Sequence, residues 1–232
     1  MCLISLRIGA SSLSAFSRRL AVLVGSLTSS AGIVFTKHVR QHNFKLVEAI
    51  ISMSRTDRNN LPPNINIRNY LKPGDIGYLT YLHGVLYAEE YGWDYTFEAY
   101  VAGPLAEFAK ARNDRGRIWI VEKDSNIAGS IAIVEASKEE AQLRWLLLHP
   151  NLRRQGIGRM LVEEAISFCK ERDYSSVFLW TVTLLVAAGE LYKTTGFQLT
   201  EENRHELWGG IVTEQRYEMR LSKSAFQQAH SE

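Results

Sequence analysis

From Ile65 onward, hydrophobic and polar positions follow two different periods along the chain. Stretches such as "RIWIVEK" (117–123) and "SSVFLWTV" (175–182) are short and rich in β-branched and aromatic residues, which is typical of strands. "GIGRMLVEEAISFCKER" (156–172) repeats apolar positions every three to four residues, which is typical of a helix. The pattern predicts, in order, strand 65–71, helices 72–92 and 96–112, strands 117–123, 127–137 and 140–148, helix 156–172, strand 175–182, helix 184–196, and strands 197–202 and 211–221.

This order, β-α-α-β-β-β-α-β-α-β-β, predicts an α/β fold with a mixed, mostly antiparallel sheet flanked by helices. The polar turn "DSN" (124–126) joins two strands into a hairpin. Strand 141–148 leads through one helix to strand 176–182, which is the connection of a parallel βαβ unit. Gly103 and Pro104 are expected to disturb the second helix, because proline lacks the backbone N–H that a helix interior uses.

Composition divides the chain near residue 60. Residues 1–60 hold eight Lys and Arg against two Asp and Glu, whereas the remaining 172 residues hold 19 against 23. The stretch "SRTDRNNLPPN" (54–64) is polar and contains a double proline, which ends helices. We therefore interpret 1–60 as a basic leader and 61–232 as the folded domain. The acidic balance of the domain argues against a nucleic-acid-binding face on it.

The leader allows several interpretations. Arginines precede the apolar run "LAVLVGSLTSSAGIVF" (20–35), as in a targeting peptide. A poorly ordered or helical tail, a regulatory segment or a stretch translated from an over-early start codon has the same composition. Serine and threonine interrupt the run, and it is shorter than the ~20 apolar residues that cross a bilayer, so no membrane anchor is predicted. If the leader is not a targeting peptide, the expected location is the cytoplasm.

The two cysteines, Cys2 and Cys169, are far apart and form no disulfide framework. Cys169 lies on the apolar stripe of a predicted helix, so we expect a small buried hydrophobic residue, with a reactive thiol as the alternative. His38 and His42 are four residues apart, but no carboxylate or cysteine cluster joins them. No metal site is therefore expected.

The stretch "HPNLRRQGIGRM" (149–160) places two arginines, a Gly-x-Gly pair and a third arginine where a strand gives way to a helix. The helix dipole disfavours cations at its N-terminus, and an anion held between the arginines and the backbone N–H groups would reverse that effect. The dinucleotide fingerprint needs a third glycine where this chain has Leu161, and no P-loop Lys-Ser/Thr pair follows. A pyrophosphate with an additional phosphate fits best. The alternative is a solvated, arginine-rich turn whose glycines serve only tight geometry.

From about Ile65 to Leu221 the chain resembles a GNAT acetyltransferase. The resemblance rests on "HGVLYAEEYGWD", "LRWLLLHPNLRRQGIGRMLVEEAISFC" and "AAGELYKTTGF", and "RRQGIG" matches that family's acyl-CoA pyrophosphate loop. It is similar in particular to the acetyltransferase domain fused to MarR-type regulators in bacteria. The resemblance implies acetyl-CoA as co-substrate, no metal, and transfer of an acetyl group to a primary amine by direct attack in a ternary complex. The alternative is a CoA-binding sensor or interaction module with little catalysis, linked to transcriptional regulation.

The resemblance also implies roles for individual residues. Tyr192 falls at the family's tyrosine position, where its hydroxyl protonates the leaving thiolate. The backbone of the strand before the loop pairs with the pantetheine arm, the loop amides hold the pyrophosphate, and Arg153 adds charge. The cofactor-binding residues expected on this basis are Leu146, Leu147, Leu148, Arg153, Arg154, Gln155, Gly156, Ile157, Gly158, Arg159 and Ala188.

Two positions depart from the family pattern. Leu185 stands three residues before Ala188, where the family often has an asparagine that touches the cofactor arm. The family's glutamate on the strand before the loop is also missing, since the inward candidates are Gln142 and Arg144. Glu140, at the start of that strand, is the catalytic candidate and would act through a water. Other readings are a carboxylate from Glu89, Glu90 or Asp94, or no dedicated base.

"HGVLYAEEYGWD" (83–94) is expected on the acceptor side. His83, Tyr87, Glu90 and Trp93 could form an aromatic, acidic cup that attracts an ammonium group. The alternative is an amphipathic helix end whose aromatic residues pack on the sheet. The acceptor, a small amine or a protein lysine or N-terminus, is left undecided, and so is the oligomeric state, a homodimer included.

Overall fold

Seven strands form one sheet in the computed structural model, which describes residues 61–111 and 113–221. The elements are β1 (Ile65–Arg68), α1 (Asp75–Tyr91), α2 (Tyr95–Ala111), β2 (Arg117–Lys123), β3 (Asn126–Glu135), β4 (Glu140–Leu148), a 3-10 turn (Pro150–Leu152), α3 (Ile157–Glu171), β5 (Ser176–Val182), α4 (Val186–Thr194), β6 (Gln198–Leu207) and β7 (Gly210–Arg220). Across the sheet the strands lie in the order β1-β2-β3-β4-β5-β7-β6.

The predicted element order and fold class are confirmed. Every neighbouring pair of strands is antiparallel except β4 and β5, which run parallel and are joined through α3. The leader 1–60 and the boundary near residue 60 lie outside the described residues and stay predictions. Within the described ranges, no helix is both long and apolar enough to cross a bilayer.

The sheet splits open between β4 and β5. The two strands pair only at their beginnings, where Glu140 to Gln142 face Ser176 to Phe178. On its other edge β4 has a bulge, because Ala132 pairs with Arg144 whereas Ser130 pairs with Leu147. A bulge bends and twists a strand, and the second half of β4 is no longer paired with β5. The divergence leaves one edge of β4 without a strand partner next to the helix that follows.

Two apolar layers cover the faces of the sheet. On one face Leu161, Ala165, Phe168 and Cys169 of α3 are buried, as the helical pattern predicts. Burial raises the pKa of the Cys169 thiol to about 12, so it behaves as a small hydrophobic residue and not as a reactive thiolate. On the other face, α1 and α2 pack on the sheet.

The second helix runs unbroken through Pro104, contrary to the expected disturbance. An interior proline removes one backbone hydrogen bond and costs about 3 kcal/mol. Val101 and Leu105, however, are completely buried against the sheet, and each contributes roughly 1.5–3 kcal/mol by leaving water. Tertiary packing therefore outweighs the local effect of the proline.

A buried ion cluster ties β1 and β2 to the start of α1. Arg68 donates to Glu122 Oε1 at 2.7 Å and to both carboxylate oxygens of Asp75 at 2.7 and 2.8 Å. All three residues are less than a tenth exposed. Burial alone would raise the pKa of Glu122, but hydrogen bonds from Arg68, Asn66 and Lys72 lower it to about 2 from an ordinary 4.5.

This cluster predicts an acid-sensitive fold. Because the pKa of Glu122 is lower in the folded chain, its stabilising contribution is complete above pH 4.5 and is lost as the pH falls towards 2. The loss is on the order of 3 kcal/mol of unfolding free energy. Urea unfolding at pH 7, 4.5 and 3 should show this fall, and a shallower one in Glu122→Gln. Glu107→Gln removes an acid from an exposed pair with Lys110, and its unfolding free energy should fall with pH as in the wild type. If Glu122→Gln showed the same fall as the wild type, Glu122 would not be the source of the acid sensitivity.

Candidate active site

A cleft of about 460 Å³ lies where β4 separates from β5. We call it the loop cleft, because the chain between β4 and α3 forms one wall of it. Its lining residues are Tyr87, Glu90, Tyr91, Leu146, Leu147, Leu148, Arg153, Arg154, Gly156, Gly158, Arg159, Leu185, Ala187, Ala188 and Leu191.

The backbone of this loop leaves the start of α3 open. His149 caps the 3-10 turn through Nδ1, which accepts from the amide of Asn151. Arg154 and Gly156 have φ angles of 62° and 80°, in the left-handed region that favours glycine. Gly156 is the N-cap of α3, and no side chain there accepts from the first amides of the helix. Those N–H groups are therefore available to an anion in the cleft.

The arginines of the loop are partly held by the chain's own acceptors. Arg153 makes two hydrogen bonds of 2.6 Å to the Glu90 carboxylate and one of 2.9 Å to the carbonyl oxygen of Leu148. The hydrogen bond from Arg153 lowers the pKa of Glu90. Arg159 donates to Thr194 Oγ1 at 2.8 Å. The cleft thus combines backbone donors with arginines that are already oriented along its wall.

A second, smaller cavity of about 100 Å³ adjoins the first. We call it the aromatic cavity, since rings from five elements and two turns surround it; Trp93 and Trp208, for example, lie 4.3 Å apart between ring centres. It shares four lining residues with the loop cleft: Tyr87, Leu146, Leu185 and Ala188. The others are His83, Trp93, Phe97, Tyr100, Val101, Gln142, Leu143, Arg144, Trp145, Trp180, Thr181, Val182, Tyr192, Trp208 and Glu214.

Tyr192 stands on α4 at the wall of the aromatic cavity. Its side chain is 5% exposed, and its ring packs on Phe197 and Tyr217. Burial and the neighbouring phenol of Tyr87 raise the pKa of Tyr192 well above its usual 10. The hydroxyl therefore stays protonated at neutral pH and is available as a donor.

One ring nitrogen of His83, Nε2, accepts no hydrogen bond from the described residues. Its Nδ1 lies 2.7 Å from the carbonyl oxygen of Leu79, so Nδ1–H donates and Nε2 is the acceptor nitrogen. Burial lowers the pKa of His83 to about 4, although the bond to Leu79 opposes the shift, and the ring is neutral at pH 7. In the described part of the chain, Nε2 has no hydrogen-bond partner.

Most of the residues expected at the cofactor lie on the loop cleft. Gln155 and Ile157 are not among its lining residues: the Gln155 side chain donates to the carbonyl of Asn151, and Ile157 is buried in the core. Their amides still belong to the turn and the first residue of α3. Leu185, where the family often has asparagine, lies where the two cavities meet.

The expected acceptor cup is only partly assembled. His83, Tyr87 and Trp93 line the aromatic cavity, but Glu90 lines the loop cleft, where it binds Arg153. Glu90 therefore does not make the acceptor side acidic, because its charge is neutralised in that ion pair.

Glu140 is also separate from both cavities. It lies where β4 and β5 are still paired, and one of its oxygens accepts from Arg216 at 3.0 Å. A role for Glu140 through a water therefore has no support from its position.

Several residues of the aromatic cavity were not expected from the sequence. Trp208 lies at the turn between β6 and β7, and Glu214 follows on β7; both come to the cavity only because β7 pairs with β5. Arg144 was expected to face inward, but the sequence predicted no role for its charge. A tryptophan in the tight turn "LWGG" (207–210) was the one available signal.

The chain is similar in sequence to known acetyltransferases. A sequence model described as Acetyltransferase (GNAT) family matches residues 85–197. The human N-acetyltransferase 8 is 28% identical over 106 residues, which cover 43% of this chain and 47% of that protein. The rat N-acetyltransferase family 8 member 3 is 36% identical over 89 residues, 36% and 39% of the two chains. The chain thus spans less than half of either relative. An uncharacterized N-acetyltransferase of Schizosaccharomyces pombe is 29% identical over 157 residues, 65% of this chain and 93% of that one.

Solved structures share the fold. An acetyltransferase from Streptococcus agalactiae superposes with a TM-score of 0.57 at 19% identity, covering 69% of this chain and all of that one. A spermidine N-acetyltransferase from Vibrio cholerae, in complex with CoA and spermine, gives 0.55 at 17% identity, with 70% and 98% covered. At such identities the likeness concerns the fold. The chain is therefore similar to the GNAT acetyltransferase family over residues 85–197, and it shares the fold of these solved acetyltransferases.

Proposed function

We propose that the chain is an N-acetyltransferase that moves the acetyl group of acetyl-CoA to a primary amine by direct attack in a ternary complex. The observation that supports this most is the junction of the two cavities. The loop cleft and the aromatic cavity share Leu146, Leu185 and Ala188, so two substrates entering from opposite sides would meet at that point.

The loop cleft fits acetyl-CoA by the chemistry of its walls. The uncapped amides at the start of α3, beside Arg154 and Arg159, suit a diphosphate, and the apolar Leu146 to Leu148 suit an extended arm. A pyrophosphate oxygen could also replace Glu90 as a partner of Arg153. Acetyl-CoA supplies the thioester that is cleaved; the protein binds and orients it.

The transfer forms a C–N bond and breaks the C–S bond. The attacking amine must be neutral, and the nitrogen loses one proton while the thiolate gains one. Tyr192, protonated and on the wall of the aromatic cavity, would donate a hydrogen bond or its proton to sulfur, and a proton released by the nitrogen would restore it. His83 Nε2 is the unpaired acceptor on the opposite side, from α1.

The second candidate is a CoA-binding sensor or interaction module with little turnover. Its support is the absence of a free carboxylate base at the expected place, since Glu140 is paired with Arg216 and Leu185 replaces the usual asparagine. The finer resemblance to MarR-linked acetyltransferase domains, the cytoplasmic location and a homodimer also stay predictions.

A two-stage measurement separates the candidates. Thermal shift with acetyl-CoA tests binding, and thiol release on a panel of amino acids, polyamines and lysine peptides tests transfer. We expect stabilisation and turnover of at least one amine. Stabilisation without thiol release on any amine supports the sensor, and the absence of both overturns the proposal.

The ion pair between Glu90 and Arg153 predicts a gain in binding when the acid is neutralised. Glu90→Gln frees Arg153 and removes a negative charge from a cleft proposed to hold a diphosphate, so the Kd of CoA should fall about 3- to 10-fold. Isothermal titration checks this. Glu89→Gln, the same change on the exposed neighbour, should leave the Kd unchanged. A weaker CoA affinity in Glu90→Gln would show that the acid is needed to position Arg153.

A further inference from the structure

Arg144 lines the aromatic cavity with no carboxylate partner among the described residues. Its guanidinium carbon lies 5.8 Å from the ring centre of Tyr100 and 5.1 Å from that of Trp145. The hydrogen bond that it makes is a long one, 3.4 Å, to Gln142 Oε1. Burial lowers the pKa of Arg144, which indicates that its charge is poorly compensated.

Arg68 provides a comparison, because it is a buried arginine with a structural role. Arg68 binds Asp75 and Glu122 through three hydrogen bonds of 2.7 to 2.8 Å. Arginine is suited to such two-pronged binding of carboxylates. Arg144 has the same donors, is half-buried and adjoins a cavity, so its missing partner is expected to come from a ligand.

Three further polar atoms have no hydrogen-bond partner in the described ranges: His83 Nε2, Trp145 Nε1 and Thr181 Oγ1, all on residues that line this cavity. Each belongs to a residue that is more than nine-tenths buried. The atoms themselves have almost no accessible surface, so a ligand would reach them only if the walls of the cavity moved. Arg144 is half-buried, and it can donate to a ligand in the cavity directly.

We propose that the acceptor is an α-amino acid with an apolar or aromatic side chain, and that Arg144 binds its carboxylate. This rests on the proposed acetyl transfer. Among the described lining residues the one acid is Glu214, which lies 3.3 Å from His205 Nε2 and can attract the incoming ammonium group. The aromatic walls suit the side chain, and the small volume suits a free amino acid better than a protein segment. A polyamine would leave Arg144 without an anion and bring it a second positive charge.

The test compares acceptors that differ only in the carboxylate. Thiol release at saturating acetyl-CoA is measured with phenylalanine and phenethylamine, and with spermidine and a lysine peptide as further acceptors. In the wild type, kcat/KM for phenylalanine should exceed that for phenethylamine by at least 10-fold. Arg144→Gln should lower kcat/KM for phenylalanine about 100-fold, mainly through KM, and change that for phenethylamine less than 3-fold.

Controls separate a binding role from a structural one. Arg144→Lys should recover part of the phenylalanine activity, and Arg220→Gln, the same change at an exposed strand end, should behave as wild type. Equal use of both acceptors by the wild type, or equal losses in Arg144→Gln, overturns the carboxylate proposal. Turnover of spermidine or the peptide alone overturns it too, while leaving acetyl transfer intact. No turnover with any acceptor overturns both proposals.

Discussion

Gly158→Glu is expected to raise the Kd of acetyl-CoA by about 100-fold or more, equivalent to ~2.7 kcal/mol of binding free energy. Gly158 is the second residue of α3 and lines the loop cleft. A Cβ there would lie 3.5 Å from side-chain atoms of Leu148 and Leu191, an ordinary contact, so the backbone does not have to move. The added carboxylate would then occupy space beside the open amides and repel a diphosphate.

The same substitution should leave the fold intact, because an acid near a helix N-terminus is favourable by about 0.3–1 kcal/mol. Isothermal titration gives the Kd, and thermal unfolding without ligand checks stability. Gly103→Glu is the matched control, since Gly103 is an exposed glycine within α2 with nothing within 4 Å of its Cβ position. If Gly158→Glu bound acetyl-CoA as tightly as Gly103→Glu, the diphosphate would have to bind elsewhere.

Tyr192→Phe should lower kcat by about 10- to 100-fold and leave the Kd of acetyl-CoA unchanged. The change removes only the hydroxyl of a residue that lines the aromatic cavity, while the ring contacts with Phe197 and Tyr217 remain. Because burial raises the pKa of Tyr192, the hydroxyl stays a donor from pH 6 to 9. The wild-type kcat should therefore show no loss in this range from ionisation of this tyrosine.

Tyr217→Phe provides the control for that experiment. Tyr217 is equally buried and its ring centre lies 6.1 Å from that of Tyr192, but it does not line either cavity. Stopped-flow or steady-state thiol release should show wild-type kcat in Tyr217→Phe and a deficit in Tyr192→Phe. Equal kcat values in the two variants would assign Tyr192 a packing role.

The order of elements could be predicted because each helix or strand has its own hydrophobic periodicity over neighbouring residues. The αβ pattern, the hairpin at 124–126 and the crossover through α3 depend on residues close in sequence, and all three agree with the structure. Pro104 shows the limit, since a local rule predicted a disturbance that the burial of Val101 and Leu105 overrides. Propensity is a weak guide where tertiary packing is strong.

The candidate site likewise has one part that the sequence predicts and one part that only the fold brings together. The loop from Arg153 to Arg159 is continuous in sequence, so its glycines and arginines indicate a phosphate site without knowledge of the tertiary structure. The acceptor side combines α1, β4, β5 and the β6–β7 hairpin, which are far apart along the chain. Glu90 and Glu140 were reasonable candidates by type, yet each is held by an arginine that only the fold brings within reach.

The sequence alone thus determined the class of fold and the turn before α3, because helix and strand periods and turn chemistry act over a few residues. Tyr192 was singled out by the family resemblance and not by these local patterns. Only the tertiary structure decided which charges remain uncompensated. Among the described residues Arg144 has no carboxylate partner while Arg68 has two, because the sheet and its helices bring different distant side chains to each arginine, and no local pattern records that.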